Sequence, residues 1–267
     1  MSLRVINSPS KKLIEMTGLH FLINNKGVSE TVGFIIIFGI VITGISLVTL
    51  LGYPALLNQQ QEANIRNMEK NFIVLQVNAN NLAYKNLPYQ ETVIQVTDGT
   101  LTLLDANPEY KKKFSIADEG GIIIDNFIPG ELRYLASNNN IIIGFQNGAI
   151  VKWQVGGSTM LGKPRWYYDS VTQSLVINLI QLRSDSPSSF SGIGTVTMEM
   201  TSPGSPTIKN YDPPQDITVT YSDTEGDYIR AWRNYFNEFS STGTTTVTIP
   251  DIKTLVIKEY TINVKFN

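Results

Sequence analysis

The sequence predicts an α+β protein: a long N-terminal helix, transmembrane and then amphipathic, followed by a β-rich, sandwich-like globular head with one short amphipathic helix. Three observations carry the prediction. No charged residue occurs from Thr31 to Gln61, and nearly every position from Val32 to Leu57 is apolar, Gly, Ser or Thr. Directly after it, Ile65, Met68, Phe72, Leu75, Ala79 and Leu82 recur at alternating spacings of three and four, which places them on one helix face. Beyond Pro88, short runs rich in Val, Ile, Thr and Tyr alternate with Gly, Asn and Asp, the punctuation of a many-stranded sheet.

The apolar run is long enough to cross a bilayer. As helix, Val32 to Leu57 would extend about 39 Å at 1.5 Å per residue, against a hydrocarbon core of roughly 30 Å. A secretory signal peptide is the alternative, but its apolar region is only about 7 to 15 residues long and ends at a small-residue cleavage site. Here the run begins some thirty residues into the chain and continues as helix. Arg4, Lys11, Lys12 and Lys26 precede it against one acid, Glu15, so the positive-inside rule keeps residues 1–27 cytoplasmic and exports everything after Leu57.

The expected helix therefore covers 28–85, with 28–57 as the membrane and assembly half and 58–85 as the amphipathic half. Polar residues such as Asn64, Arg66, Glu69 and Lys70 fill the faces away from the seam, so one stripe is expected to pack on a partner surface. Pro54 cannot donate its amide to the carbonyl four residues earlier, so a break is expected at Gly52-Tyr53-Pro54. Pro88 ends the helical pattern.

Residues 86–267 form the expected head. Strands are read at Thr92–Thr97, Thr100–Leu104, Gly121–Ile128, Ile141–Gln146, Ala149–Val155, Arg165–Tyr168, Val171–Leu182, Thr195–Met200, Ile217–Tyr221, Thr244–Ile249 and Thr254–Phe266. Asp98-Gly99 and Asn147-Gly148 each sit between two such runs and predict type I′ hairpins. One helix interrupts the strands: Ser222-x-x-Glu225 has the capping-box pattern, and Tyr228, Ile229, Trp232, Tyr235, Phe236 and Phe239 line one face from Glu225 to Phe239. That aromatic stripe is expected to pack as core on the sheet.

Composition narrows the chemistry. Cysteine is absent and the single histidine, His20, precedes the helix, so residues 28–267 offer no thiolate, imidazole or disulfide. A hydrolase would need a Ser-Lys or paired-carboxylate apparatus, and no such pair, G-x-S-x-G, P-loop or dinucleotide-binding glycine motif is found. No enzyme activity, cofactor or metal is expected. A net charge of -2 gives no general attraction to nucleic acid. Asp223, Glu225 and Asp227 alternate as in an oxygen-only calcium loop, but no bidentate Glu follows at the right spacing, and a helix N-terminus that favours acids explains them better. Lys111, Lys112 and Lys113 beside Tyr110 and Phe114 read as a solvated turn or a guarded sheet edge. No Asn-x-Ser/Thr sequon occurs, so N-glycosylation is not expected.

The junction Asn24-Asn25-Lys26-Gly27-Val28-Ser29-Glu30-Thr31-Val32-Gly33 places a basic residue, a small residue and then a carboxylate just before the apolar run. At a bilayer edge or inside an apolar bundle the Glu30 charge is costly unless paired. This order resembles the class III leader of archaeal type IV pilin-like proteins. The resemblance implies that a prepilin peptidase recognises Lys26 and Gly27 and cuts between Gly27 and Val28. Glu30 then becomes the third residue of the product, where the family's carboxylate meets the new α-amino group of a neighbouring subunit, here that of Val28. It further implies a structural subunit, major or minor, of a surface filament used in adhesion or surface contact. The implied partners are the prepilin peptidase, its own kind or related pilin subunits, the membrane and the pilus assembly machinery. The precursor would lie in the cell membrane and the mature protein on the extracellular surface or in a filament. The competing reading is a single-pass anchored protein that never polymerises and carries an adhesin or carbohydrate-binding head.

Overall fold

A computed structural model describes residues 25–85, 87–137, 140–184, 189–202, 204–240 and 243–267. It divides into two units, Met1–Leu57 and Asn58–Asn267.

The first unit, over its described residues, is helical. Helix α1 covers Asn25–Leu47, a π-helical turn covers Val48–Gly52, and α2 begins at Tyr53. The break expected at Gly52-Tyr53-Pro54 takes the form of that π turn. The Tyr53 N–H bonds to the Val48 carbonyl five residues back, a register shift that accommodates the turn where Pro54 has no amide to give. The hydroxyls of Thr43 and Thr49 donate to the carbonyls of Gly39 and Ile45 at 2.7 and 2.9 Å, so these two polar groups of the apolar segment are satisfied within the helix. Its large apolar side chains, among them Phe34, Ile37, Ile40 and Leu50, are all exposed. Among the described residues, one helix is long and apolar enough to cross a membrane.

The second unit takes the rest of α2, which runs to Lys85, and twelve strands: β1 Tyr89–Leu104, β2 Lys112–Asp118, β3 Gly121–Phe127, β4 Glu131–Leu135, β5 Ile141–Gln146, β6 Ala149–Gln154, β7 Gly157–Gly162, β8 Tyr167–Asp169, β9 Ser174–Arg183, β10 Ser189–Ser202, β11 Thr207–Asp223 and β12 Thr246–Phe266. The short helix α3, Ile229–Phe236, lies between the last two. β12 is the spine. β9 runs parallel along one edge. Residues 254–257 pair with β11 and residues 261–263 with β10 while both stretches also pair with β9, so β11 and β10 share the opposite edge. From there the sheet extends through β2 to β3 on one side, and through β1, β4, β5 and β6 to β7 on the other.

Alternation along the strands feeds two cores. All six seam residues of α2 are buried, in one cluster with Ile94, Leu101, Tyr134, Phe145 and Val264. The second cluster gathers Trp232, Tyr235 and Phe236 of α3 with Phe114, Ile177, Val219 and Val247. β5, β6 and β9 supply both: Ile143, Ile150 and Ile180 belong to the first cluster, and Ile142, Val151, Leu175, Ile177 and Leu179 to the second. A sheet buried on both faces gives the head its sandwich-like layering.

The Asn147-Gly148 hairpin forms as expected. Gln146 pairs with Ala149 and both turn residues have positive φ, 47° and 75°, the type I′ requirement. Asp98-Gly99 makes no hairpin. β1 continues through it, pairing with β10 over 89–96 and again at 101–102, and with β4 over 100–104. The register with β10 shifts between Val96 and Leu101, and the left-handed Gly99 (φ 104°) forms a bulge there as β4 joins the other edge of the strand. A Cβ at Gly99 would lie 2.2 Å from the Leu135 carbonyl oxygen, which is why only glycine fits.

The helix expected from Glu225 to Phe239 is shorter, Ile229–Phe236, and Ser222 is the exposed penultimate residue of β11 rather than a cap. Asp223 takes that part: its carboxylate accepts from the backbone amides of Glu225, Gly226 and Tyr228 at 3.0, 3.0 and 2.9 Å. Sheet pairing of β11 with β2 through Asp223 outcompetes an earlier helix start. β2, β4 and β7 were not among the expected strands, because charged or Gly-rich residues break their apolar alternation.

Candidate functional site

The backbones of Lys26, Gly27 and Val28 lie in the first turns of α1, and their side chains lie outside the described residues. Glu30 is exposed. It is the only charged residue between Val28 and Gln61, and among the described residues it has no hydrogen bond or ion pair within its own chain. An apolar helix whose side chains nothing covers, with one carboxylate near its start, needs a low-dielectric surrounding for its length and a cation for its acid. Among the described residues no second functional side chain meets Glu30.

The head holds a different concentration of charge, built on β2, β4 and the loop before α3. Lys112 reads as a solvated lysine in sequence, but β2 is an interior strand between β11 and β3, and Lys112 is completely buried. Its Nζ lies 3.1 Å from Oε2 of Glu131, also completely buried, and 3.6 Å above the Tyr228 ring. Arg133, two residues along β4 on the same face, donates from Nε and a terminal nitrogen to the two Glu131 oxygens at 2.8 and 2.9 Å. The hydroxyls of Tyr110 and Tyr228 also donate to Glu131. Outside this centre, Glu225 and Asp227 stand 3.8 and 3.9 Å from Lys112.

Burial alone would raise the Glu131 carboxyl, but Lys112 and then Arg133 hold it well below the ordinary carboxylate range. The Tyr110 and Tyr228 hydroxyls are pushed far up, first by burial and then by the Glu131 charge. Asp227 is raised by burial, which Lys112 and Arg133 only partly offset. Both Glu131 oxygens are occupied by donors, so the carboxylate has no lone pair directed at a substrate. What this arrangement does is join β2, β4 and the approach to α3 through one buried charge. Gly144 makes room for it, since a Cβ there would lie 2.2 Å from the Tyr228 hydroxyl and 2.6 Å from Oε1 of Glu131.

The Asp223-x-Glu225-x-Asp227 alternation thus resolves into separate tasks: Asp223 caps the loop, while Glu225 and Asp227 face Lys112. Among the described residues no group of three or more carboxylates is arranged to hold a metal ion. Sequence reading missed Lys112, Glu131 and Arg133 as a unit. The available signal was Glu131-x-Arg133, an acid and a base two apart in an apolar strand, which places both on one face.

The family pattern of DUF7289, described as a family of unknown function, matches residues 26–265. No curated protein and no solved structure matches the chain.

Proposed function

This chain belongs to the DUF7289 family, and we propose from that starting point that it is a pilin-like structural subunit, major or minor, of an archaeal type IV pilus-like surface filament. The observation that carries the reading is Glu30, the one carboxylate at the start of a run that holds no other charge from Val28 to Gln61, exposed and without a partner among the described residues. Cleavage between Gly27 and Val28 would create an α-amino group two residues away from it. A neighbouring subunit's new amine is then the cation Glu30 lacks, and the exposed apolar side chains of residues 29–57 are the surface that a bundle of copies buries, each at roughly 25 cal/mol per Å². The match of the family from residue 26 onward supports treating the junction helix and the head as one design. On this reading the prepilin peptidase and assembly machinery act on the precursor in the membrane, and the head faces outward.

The test is Glu30→Ala. In a simple anchor, Glu30 sits at headgroup level where water solvates it, and its loss changes little. In a bundle, losing one partner of a buried pair costs about 3 to 5 kcal/mol. The expected result is a variant that is cleaved and membrane-inserted but missing from the sheared surface fraction viewed by electron microscopy. Normal incorporation of the variant into filaments overturns the pairing, and absence of the wild-type chain itself from that fraction favours a non-polymerising anchor.

A further inference from the structure

We propose that the head carries a binding site for an acidic saccharide, in the cleft of about 600 Å³ between α2, the β6–β7 hairpin and α3. The proposal takes from the preceding reading only that the head faces the outside of the cell. A cleft of this volume is in the range of small-ligand sites.

Arg230 is the anchoring group. Its guanidinium makes one hydrogen bond, 3.1 Å to the Gly156 carbonyl, and has no carboxylate partner among the described residues. It is also seated: Gly157 has φ +145°, and a Cβ there would lie 2.9 Å from both Cδ and one terminal nitrogen of Arg230. Arg230 is exposed and tethered to the turn by that one bond, and most of its guanidinium donors are unspent. Asn234, one helical turn further along α3, lines the same cleft. Neither its amide nor that of Gln154 across the cleft has a hydrogen-bond partner among the described residues. Lys152, the other cation of the lining, is neutralised by Glu69 at 2.7 Å.

This set matches one chemistry. A guanidinium with unspent donors binds a carboxylate bidentately. Amides that donate and accept match hydroxyls, which do both. Val155, 75% exposed, and Leu161 supply small apolar surface for the C–H face of a sugar ring. A uronic-acid unit presents a carboxylate, hydroxyls and such a face together.

The purified full chain in detergent micelles is titrated calorimetrically with tetragalacturonate, with neutral tetragalactose and with tetraglutamate. Saturable one-to-one binding of tetragalacturonate is expected, roughly tenfold or more weaker for tetragalactose and for Arg230→Gln, because a charge-assisted bond is lost. Asn234→Ala, an exposed position, is expected to weaken it by a smaller factor and serves as the second variant if Arg230→Gln loses its native tryptophan fluorescence. No saturable binding, equal affinity for tetragalactose, equal or tighter binding of tetraglutamate, or unchanged affinity in both variants each overturns the proposal. Binding is measured without filaments, so its failure leaves the Glu30 result untouched, and failure of the Glu30 test leaves this site standing.

Discussion

Lys112 and Glu131 meet at 3.1 Å with both side chains wholly buried, on strands that are not neighbours in the sheet. β2 reaches the rest of the sheet through β11, and β4 reaches it through β1 and β5. The pair therefore ties two branches across the interior, with the Tyr228 ring beneath the lysine and Arg133 closing the other side of the carboxylate. Desolvating these charges is costly, and the fold recovers the cost only because every partner is in place.

Removing one partner exposes that dependence. Lys112→Met keeps the stem's bulk but leaves Glu131 short of a cation, and Glu131→Ala leaves Lys112 buried beside Tyr228. Each is expected to destabilise the head by about 3 to 5 kcal/mol. Urea unfolding followed by tryptophan fluorescence measures it, since Trp153, Trp166 and Trp232 all lie in the head.

Gly144 is expected to tolerate no side chain. In Gly144→Ala the new methyl must displace the Tyr228 hydroxyl from Glu131, and overpacking of this kind costs about 1 to 3 kcal/mol. A matched variant with Tyr228→Phe removes the hydroxyl. If the clash is the cause, the alanine costs less in that background, and additive losses in a double-mutant cycle would refute it.

Acid should loosen the head in a direction set by Glu131. Its folded pKa is depressed below the ordinary value of 4.5, so its contribution is present above pH 4.5 and is lost progressively as pH falls below it toward the folded pKa. Asp118, lowered chiefly by its bond from Lys209, acts in the same sense. Asp227 is raised and opposes them, because its protonated form is favoured in the folded head. The expected result is falling stability between about pH 4.5 and pH 2, with a shallower slope in Glu131→Gln.

The seam of α2 predicts a local cost. Phe72 is fully buried in the first core, and Phe72→Ala should cost about 3 to 5 kcal/mol. Val77→Ala, at a half-exposed position on the same helix, should stay within about 0.5 kcal/mol. Equal losses at the two positions would contradict the packing of that face.

At the junction, Gly27→Leu is expected to block processing, because a bulky residue beside the scissile bond does not fit a pocket that recognises a small one. Intact-mass measurement should find the wild-type chain beginning at Val28 and the variant retaining residues 1–27. A mature mass that differs from wild type in no way would refute the processing site.

Much of this protein is determined by local sequence alone. The apolar run from Val32, the six-residue seam of α2, the Asn147-Gly148 turn and the aromatic face of α3 each follow from spacing, since a helix repeats every 3.6 residues, a strand every two, and only certain residues accept positive φ. Tertiary structure decided the rest. Asp98-Gly99 bears the same local signal as Asn147-Gly148, yet it bulges, because the segments on its two sides both pair with β10, the second with β4 as well, instead of with each other. Lys112 looks solvated in a run of three lysines, yet it is buried, because Glu131, nineteen residues away, supplies the charge that makes its burial tolerable. A turn residue states which conformation it accepts, and a charge states what it costs to bury. Which strand arrives beside it is settled only when distant parts of the chain compete for the same edge and the same interior.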